Sequence, residues 1–273
     1  MTAILQILAP LQLSFMQTAL MAGCATAVVC AVVGVYVVLN RIVFLGAALA
    51  QLSAAGIALG FLLGLHTTSL AILLAVAGVL LLSFRPGTSR IPADGLLGIV
   101  FAVAWAGSIL MVAHSAQGAE ELNYLLQGNI LTASHGDVRL VLGLLAAIGG
   151  LHLVCMKPFV FVSFDPETAG TLGLRTRLWT ILLYTSLGAT IALTIHVVGI
   201  MVVFALLVLA PVAGILLGRR LPSVFLISVV TALVAVVAGL LLSFHADLPS
   251  GPAIVACLGG IVVVARLLHR ARA

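Results

Sequence analysis

Ser163-Phe164-Asp165-Pro166-Glu167-Thr168-Ala169-Gly170-Thr171-Leu172-Gly173-Leu174-Arg175-Thr176-Arg177 is the one long polar island between two strongly apolar runs in the second half of the chain. It reads as one short surface helix. Ser163 and Asp165 supply start signals, Pro166 sits at an early helical position, and Glu167 falls in the first turn, where a carboxylate meets the positive end of the helix dipole. Gly170 and Gly173, followed by Arg175 and Arg177, supply stop signals. A short helix held between two apolar segments is suited to docking against a partner; an ordinary polar connecting loop has the same composition.

The runs on either side of the island are representative of the whole. The chain has 273 residues, 63% of them hydrophobic and 7% charged, with a mean hydropathy of +1.36. A soluble domain of this size needs a surface of residues that are nearly absent here, so the composition implies an all-α, polytopic integral membrane protein. Apolar runs at about 14–39, 42–64, 67–84, 95–113, 138–156, 178–195, 198–218, 224–244 and 252–268 predict about nine transmembrane helices in a single transmembrane domain over 1–273. Residues 1–13, interrupted by Pro10, read as an interfacial lead-in, and 120–131 is too polar to cross alone and reads as an amphipathic or partly inserted helix. Gly56, Gly60 and Gly64 recur every four residues and predict one small-residue face for close helix packing.

With nine spans, eleven of the twelve basic residues fall on one side (Arg41, Arg85, Arg90, Lys157, Arg175, Arg177, Arg219, Arg220, Arg266, Arg270 and Arg272), leaving only Arg139 opposite. The positive-inside rule makes that side cytoplasmic, which places the polar island and the C-terminus there in a plasma (inner) membrane protein. His66, His114, His135, His196, His245, Glu120, Glu121 and Asp247 then lie at or near the outer face. The basic residues are scattered at span ends, a membrane topology pattern and not a nucleic-acid face. No charge precedes Arg41 and no small-residue cleavage site follows a short apolar core, so a removable signal peptide is not expected. Cys24, Cys30, Cys155 and Cys257 lie inside apolar runs without a C-x-x-C pair and read as small core residues.

Enzymatic chemistry has little to stand on. The sole lysine, Lys157, is not in a G-x-x-x-x-G-K-[ST] loop, so ATP binding would require a separate subunit. H-E-x-x-H and G-x-S-x-G are absent from the sequence. The span middles hold almost no ionisable residues, which argues against a carrier driven by an ion gradient. His245 and Asp247, two residues apart in a turn fixed by Pro249 and Gly251, offer a borderline metal ion an imidazole nitrogen and a carboxylate oxygen, and equally serve to cap and solvate a tight turn. His196 carries the same two readings. His114 and His135 flank Glu120 and Glu121 and either attract cations to the outer face or are solvated loop residues.

Several stretches together resemble the integral-membrane permease of the zinc/manganese ABC importers. They are Phe15-Met16-Gln17 with Ala19-Leu20, residues 34–41 (GVYVVLNR), residues 44–51 (FLGAALAQ) with Gly56-Ile57-Ala58-Leu59-Gly60, Asp94 with Gly98-Ile99-Val100-Phe101, residues 125–131 (LLQGNIL), Val198-Gly199-Ile200 with residues 206–211 (LLVLAP), and Asp247-Leu248-Pro249-Ser250-Gly251. The resemblance extends from about residue 14 to 265. It implies a homodimer of permeases, two copies of a cytoplasmic ABC ATPase, an extracytoplasmic metal-binding protein, zinc or next manganese as transported substrate, and no permanently bound cofactor. It also implies that Phe164, Asp165, Pro166, Glu167, Ala169, Leu172 and Gly173 form the coupling helix, within about 163–175, that docks on the ATPase. One departure stands out. Where many members carry an acidic residue and, four positions later, a histidine on the metal route, this chain has Ala47 and Gln51. Gln51 offers a carbonyl oxygen and Ala47 offers nothing. Either the route uses Gln51, His196, His245 and Asp247, or the cargo is a chelate or other small solute; an ATPase-independent channel is the reading from another class.

Overall fold

The computed structural model describes residues 9–83, 93–114 and 130–271, and among these it is helical with no strand. After a 3-10 turn at Ala9–Gln12, the helices are α1 (Ser14–Leu39), α2 (Val43–Leu63), α3 (Thr67–Ser83), α4 (Ala93–Ala113), α5 (His135–Val154), α6 (Met156–Phe164), α7 (Pro166–Thr171), α8 (Thr176–Val198), α9 (Ile200–Leu217), α10 (Leu221–Ala246) and α11 (Ser250–Arg270). Eight of them are long and apolar enough to cross a bilayer, and α3 is a shorter apolar helix that brings the count to the expected nine. The amphipathic helix expected over 120–131 lies outside the described residues except at its end, where Ile130–Thr132 forms a 3-10 turn.

Local chemistry sets the helix ends. Helix α5 begins at His135, ahead of the expected start at 138, because Ser134 and Asp137 form a capping box: the Asp137 amide donates to Ser134 Oγ at 3.2 Å and the Ser134 amide donates to Asp137 Oδ2 at 2.8 Å. Its middle, Leu145–Gly149, widens into a π turn before α-geometry resumes at Gly150. Helices α8 and α9 follow each other with a single-residue break at Gly199, whose φ of 85° and ψ of 161° belong to a region open essentially to glycine alone. Pro211 lies inside α9 and removes one backbone hydrogen bond from it.

The chain divides into two packing units. The first comprises Met1–Val35, Leu126–Gly149 and Val197–Ala273; the second comprises Tyr36–Leu125 and Gly150–His196. In the first unit α9, α10 and α11 pack against one another, with close approach at small residues. A Cβ added at Gly239 would lie 2.5 Å from Ile254 Cα, and one at Gly34 would collide with the backbone carbonyl of Leu207. Between membrane helices such contacts supply van der Waals attraction that the hydrophobic effect does not.

In the second unit α2 packs on α3 and α4. Two of the three glycines expected on one face behave as expected: a Cβ on Gly56 would sit 2.5 Å from the Leu70 carbonyl oxygen, and one on Gly60 would sit 2.8 Å from Thr67 Cα. Gly64 does not. It is the left-handed C-cap of α2 at φ 66°, and a Cβ there would meet nothing within 4 Å. The Gly56 contact is to backbone and cannot relax by a rotamer change. Gly56→Val is expected to cost about 1–3 kcal/mol of stability, read as a lowered unfolding midpoint in detergent. Gly260→Ala, at an exposed α11 position with no neighbour within 4 Å of the added Cβ, is expected to leave the midpoint unchanged or raise it slightly.

Candidate functional site

The polar island folds as a helix pair. Ser163 and Phe164 complete α6, which runs on from the end of α5, and the surface helix α7 is only Pro166–Thr171. Asp165 separates them as an N-cap: the Thr168 amide donates to Asp165 Oδ1 at 3.0 Å and the Thr168 hydroxyl donates to Oδ2. Pro166 fills the first helical position, where a missing N–H costs nothing. After Thr171 the chain turns through Gly173 at φ 85°, a left-handed conformation suited to glycine.

Seven residues were assigned to a docking surface, and they divide by exposure. Phe164, Asp165, Pro166, Glu167, Leu172 and Gly173 are exposed, whereas Ala169 is fully buried and fixes α7 from within. Phe164 at 57% and Leu172 at 68% exposure present large apolar side chains on either side of the Glu167 carboxylate in sequence.

Beneath this surface lies a cluster that the sequence reading did not single out. His152, in the last turn of α5, is 2% exposed. Its ring packs 5.0 Å from Tyr36 and 4.8 Å from Phe159, and Phe159 meets Trp179 edge-on at 5.7 Å. His152 Nε2 is 2.9 Å from Ser186 Oγ, whose own proton goes to the Leu183 carbonyl at 2.7 Å. The hydroxyl therefore accepts from Nε2–H, which leaves Nδ1 as the unprotonated nitrogen, buried and without a hydrogen-bond partner. Asn40 Nδ2 donates to Ser163 Oγ and to the Tyr36 carbonyl, both at 2.8 Å. The ends of α1 and α5 are thus joined to α6 and α8, and α7 packs on α6. The signal available in sequence was a histidine inside an apolar run, just before Lys157-Pro158.

The four cargo-route candidates are distributed over both units. Gln51 is buried in α2 at 4% exposure, and His196 is half-buried near the end of α8. His245 lies exposed in the last turn of α10, edge-on to Phe244. Asp247 is the C-cap of α10 at φ 51° and ψ 44°, a left-handed position that glycine or asparagine usually fills. The turn is closed by the Leu248 amide on the Ser243 carbonyl at 3.0 Å and by Ser243 Oγ on the Leu248 carbonyl at 2.6 Å. Asp247 thus accepts an unfavourable backbone conformation, one that keeps an exposed carboxylate two residues from an imidazole. Among the described residues, no three His, Cys, Asp or Glu side chains gather closely enough to hold a metal ion.

Hydrogen bonds from the Thr168 hydroxyl, and secondarily its amide, hold the Asp165 carboxyl below the usual carboxylate range. The folded form is therefore favoured by an ionised Asp165. The cap's contribution is complete above the ordinary carboxylate pKa and is lost as pH falls through the lowered value. Amide exchange at Thr168 measures it: Asp165→Ala is expected to accelerate exchange severalfold, while Asp165→Asn retains the cap and removes its acid dependence.

The family model of the ABC 3 transport family matches residues 12–269. The manganese transport system membrane protein MntC of Halalkalibacterium halodurans is 26% identical over 90% of this chain and 84% of its own length. The chelated iron transport system membrane protein YfeD of Yersinia pestis is 28% identical over 95% and 87%. Among solved structures, PsaBC from Streptococcus pneumoniae in complex with Fab superposes with a TM-score of 0.87 at 25% identity, covering 96% of this chain and 95% of that one. The chain is a multi-pass membrane permease that belongs to the ABC 3 transport family.

Proposed function

We propose that this permease is the membrane subunit of an ATP-driven importer of divalent first-row metal ions. It would work as a homodimer with two copies of a separate cytoplasmic ATPase and receive cargo from an extracytoplasmic binding protein. The observation that carries the reading is α7, a short capped helix between two apolar spans, with Phe164, Glu167 and Leu172 exposed, packed on α6, which is itself joined to α1, α5 and α8. Movement of the ATPase pair would reach α7 as a rigid-body displacement and pass to the spans around it, exposing the cargo path to alternate faces. No ATP chemistry is assigned to this chain.

The sequence reading ranks zinc first and manganese second as cargo. The relatives' names support manganese and iron, so the three ions need to be compared directly. Few and weak ligands suit the task, because a site that binds tightly also releases slowly. His245 and Asp247 would attract the ion at the outer turn, with His196 and Gln51 further along the route. The second reading, import of a metal chelate, is favoured by Ala47 and Gln51, which put no ionisable ligand at those two α2 positions.

Uptake into proteoliposomes holding the permease, its ATPase and its binding protein, with zinc, manganese and ferrous ions offered separately, tests both readings. ATP-dependent uptake of a bare ion is expected, falling severalfold in His245→Ala and in Asp247→Gly. The glycine suits the left-handed cap, so that variant removes the carboxylate and keeps the turn. Glu167→Arg is expected to abolish co-purification of the ATPase. Ion movement without any ATPase contradicts the importer reading. Assembly with the ATPase but transport only of a chelate selects the second reading.

A further inference from the structure

Below the end of α5 lies a groove of about 360 Å³ lined by Lys157, Pro158, Phe161, Leu172, Leu174 and Trp179. Its volume is within the range of small-molecule sites, and its walls are apolar except for one ammonium group. One candidate span ends at Val154 and the next begins at Thr176, so the groove is built from residues that follow one span and open the next. Trp179 backs it, held edge-on by Phe159. The apolar surface does not stop at its rim: Leu153 and Val154 are 79% and 85% exposed at the end of α5, and Leu178 is 56% exposed beside Trp179. Lys157 is exposed at the groove, no carboxylate lines it among the described residues, and Arg175 follows Leu174 directly in sequence.

We propose that this groove is a binding site for an anionic phospholipid of the cytoplasmic leaflet, with the phosphate on Lys157 and an acyl chain along Phe161, Leu174 and Trp179. The arrangement of a basic headgroup contact, an interfacial tryptophan and an apolar wall continuous with the lipid-facing helix ends matches a phospholipid lying across the interface. Because Leu172 and Leu174 directly follow α7, a lipid seated here would brace the docking helix from the membrane side. The proposal rests on the cytoplasmic placement of this segment and stands whatever the cargo.

The two tryptophans, Trp105 and Trp179, provide the test. In a Trp105→Phe background, Trp179 fluorescence of the full chain is measured in vesicles containing brominated phosphatidylglycerol or brominated phosphatidylcholine at equal mole fraction. The apparent affinity of quenching is expected to favour phosphatidylglycerol about fivefold, the preference one basic side chain near the surface produces. Lys157→Glu is expected to erase that preference and Lys157→Arg to keep it; Lys157→Gln serves where the charge reversal does not fold. Trp105 in the complementary Trp179→Phe background is expected to show no headgroup preference. Equal quenching of Trp179 by both lipids means bulk contact only and overturns the proposal. A preference that survives Lys157→Glu overturns it as well. If adding the ATPase abolishes quenching by both lipids, the groove is a protein interface and the lipid assignment fails.

Discussion

Hydrocarbon offers no hydrogen-bond partner, so each backbone N–H and C=O within the bilayer must be satisfied inside its own helix. This constraint makes the chain helical among its described residues and concentrates the chemistry at helix ends, where the last N–H and C=O groups need side chains or water. Ser134 and Asp137 begin α5, Asp165 begins α7, Asp247 closes α10, and Gly199 permits α9 to start one residue after α8 stops. Two of these terminal residues, Asp165 and Asp247, are also among those proposed to couple and to guide cargo.

Within the second unit, the cluster under α7 converts helix ends into a firm base. Aromatic contacts of the kind made by Tyr36, His152, Phe159 and Trp179 are worth about 0.5–1.5 kcal/mol each beyond their burial. A hydrogen bond such as His152 to Ser186 adds about 1 kcal/mol, and more is lost if one partner is left buried alone. The sum matters less than the connectivity. Asn40 reaches Ser163, His152 reaches Ser186 and Phe159 reaches Trp179, so α6, on which α7 packs, is cross-linked to α1 and α8.

The fold was legible in sequence where one physical variable dominated. Hydropathy located the spans, and the Asp165-Pro166-Glu167 start of α7 followed from backbone groups that need a cap. Less was legible where two causes produce the same letters. Gly64 continued a four-residue spacing yet serves as a left-handed cap, because the helix happens to end there. Ala169 belonged to a family motif, but only the fold shows that its methyl points inward. His152 looked like one more polar residue in an apolar run; its partners are contributed by Tyr36 and Ser186, far away in the chain, and no local pattern announces them. The cargo route remained least legible, since a turn histidine and a transport ligand share the same sequence and Ala47 and Gln51 put no ionisable side chain at those α2 positions.

The central claim is that α7 and the cluster beneath it act as one mechanical piece between ATPase and spans. The most direct test is to measure ATP hydrolysis and metal uptake together in the reconstituted complex carrying His152→Ala or Asn40→Ala, neither of which alters the exposed face of α7. The account predicts that the ATPase still associates and hydrolyses ATP while uptake per ATP falls severalfold. Uptake per ATP unchanged in both variants, with the complex intact, would contradict it.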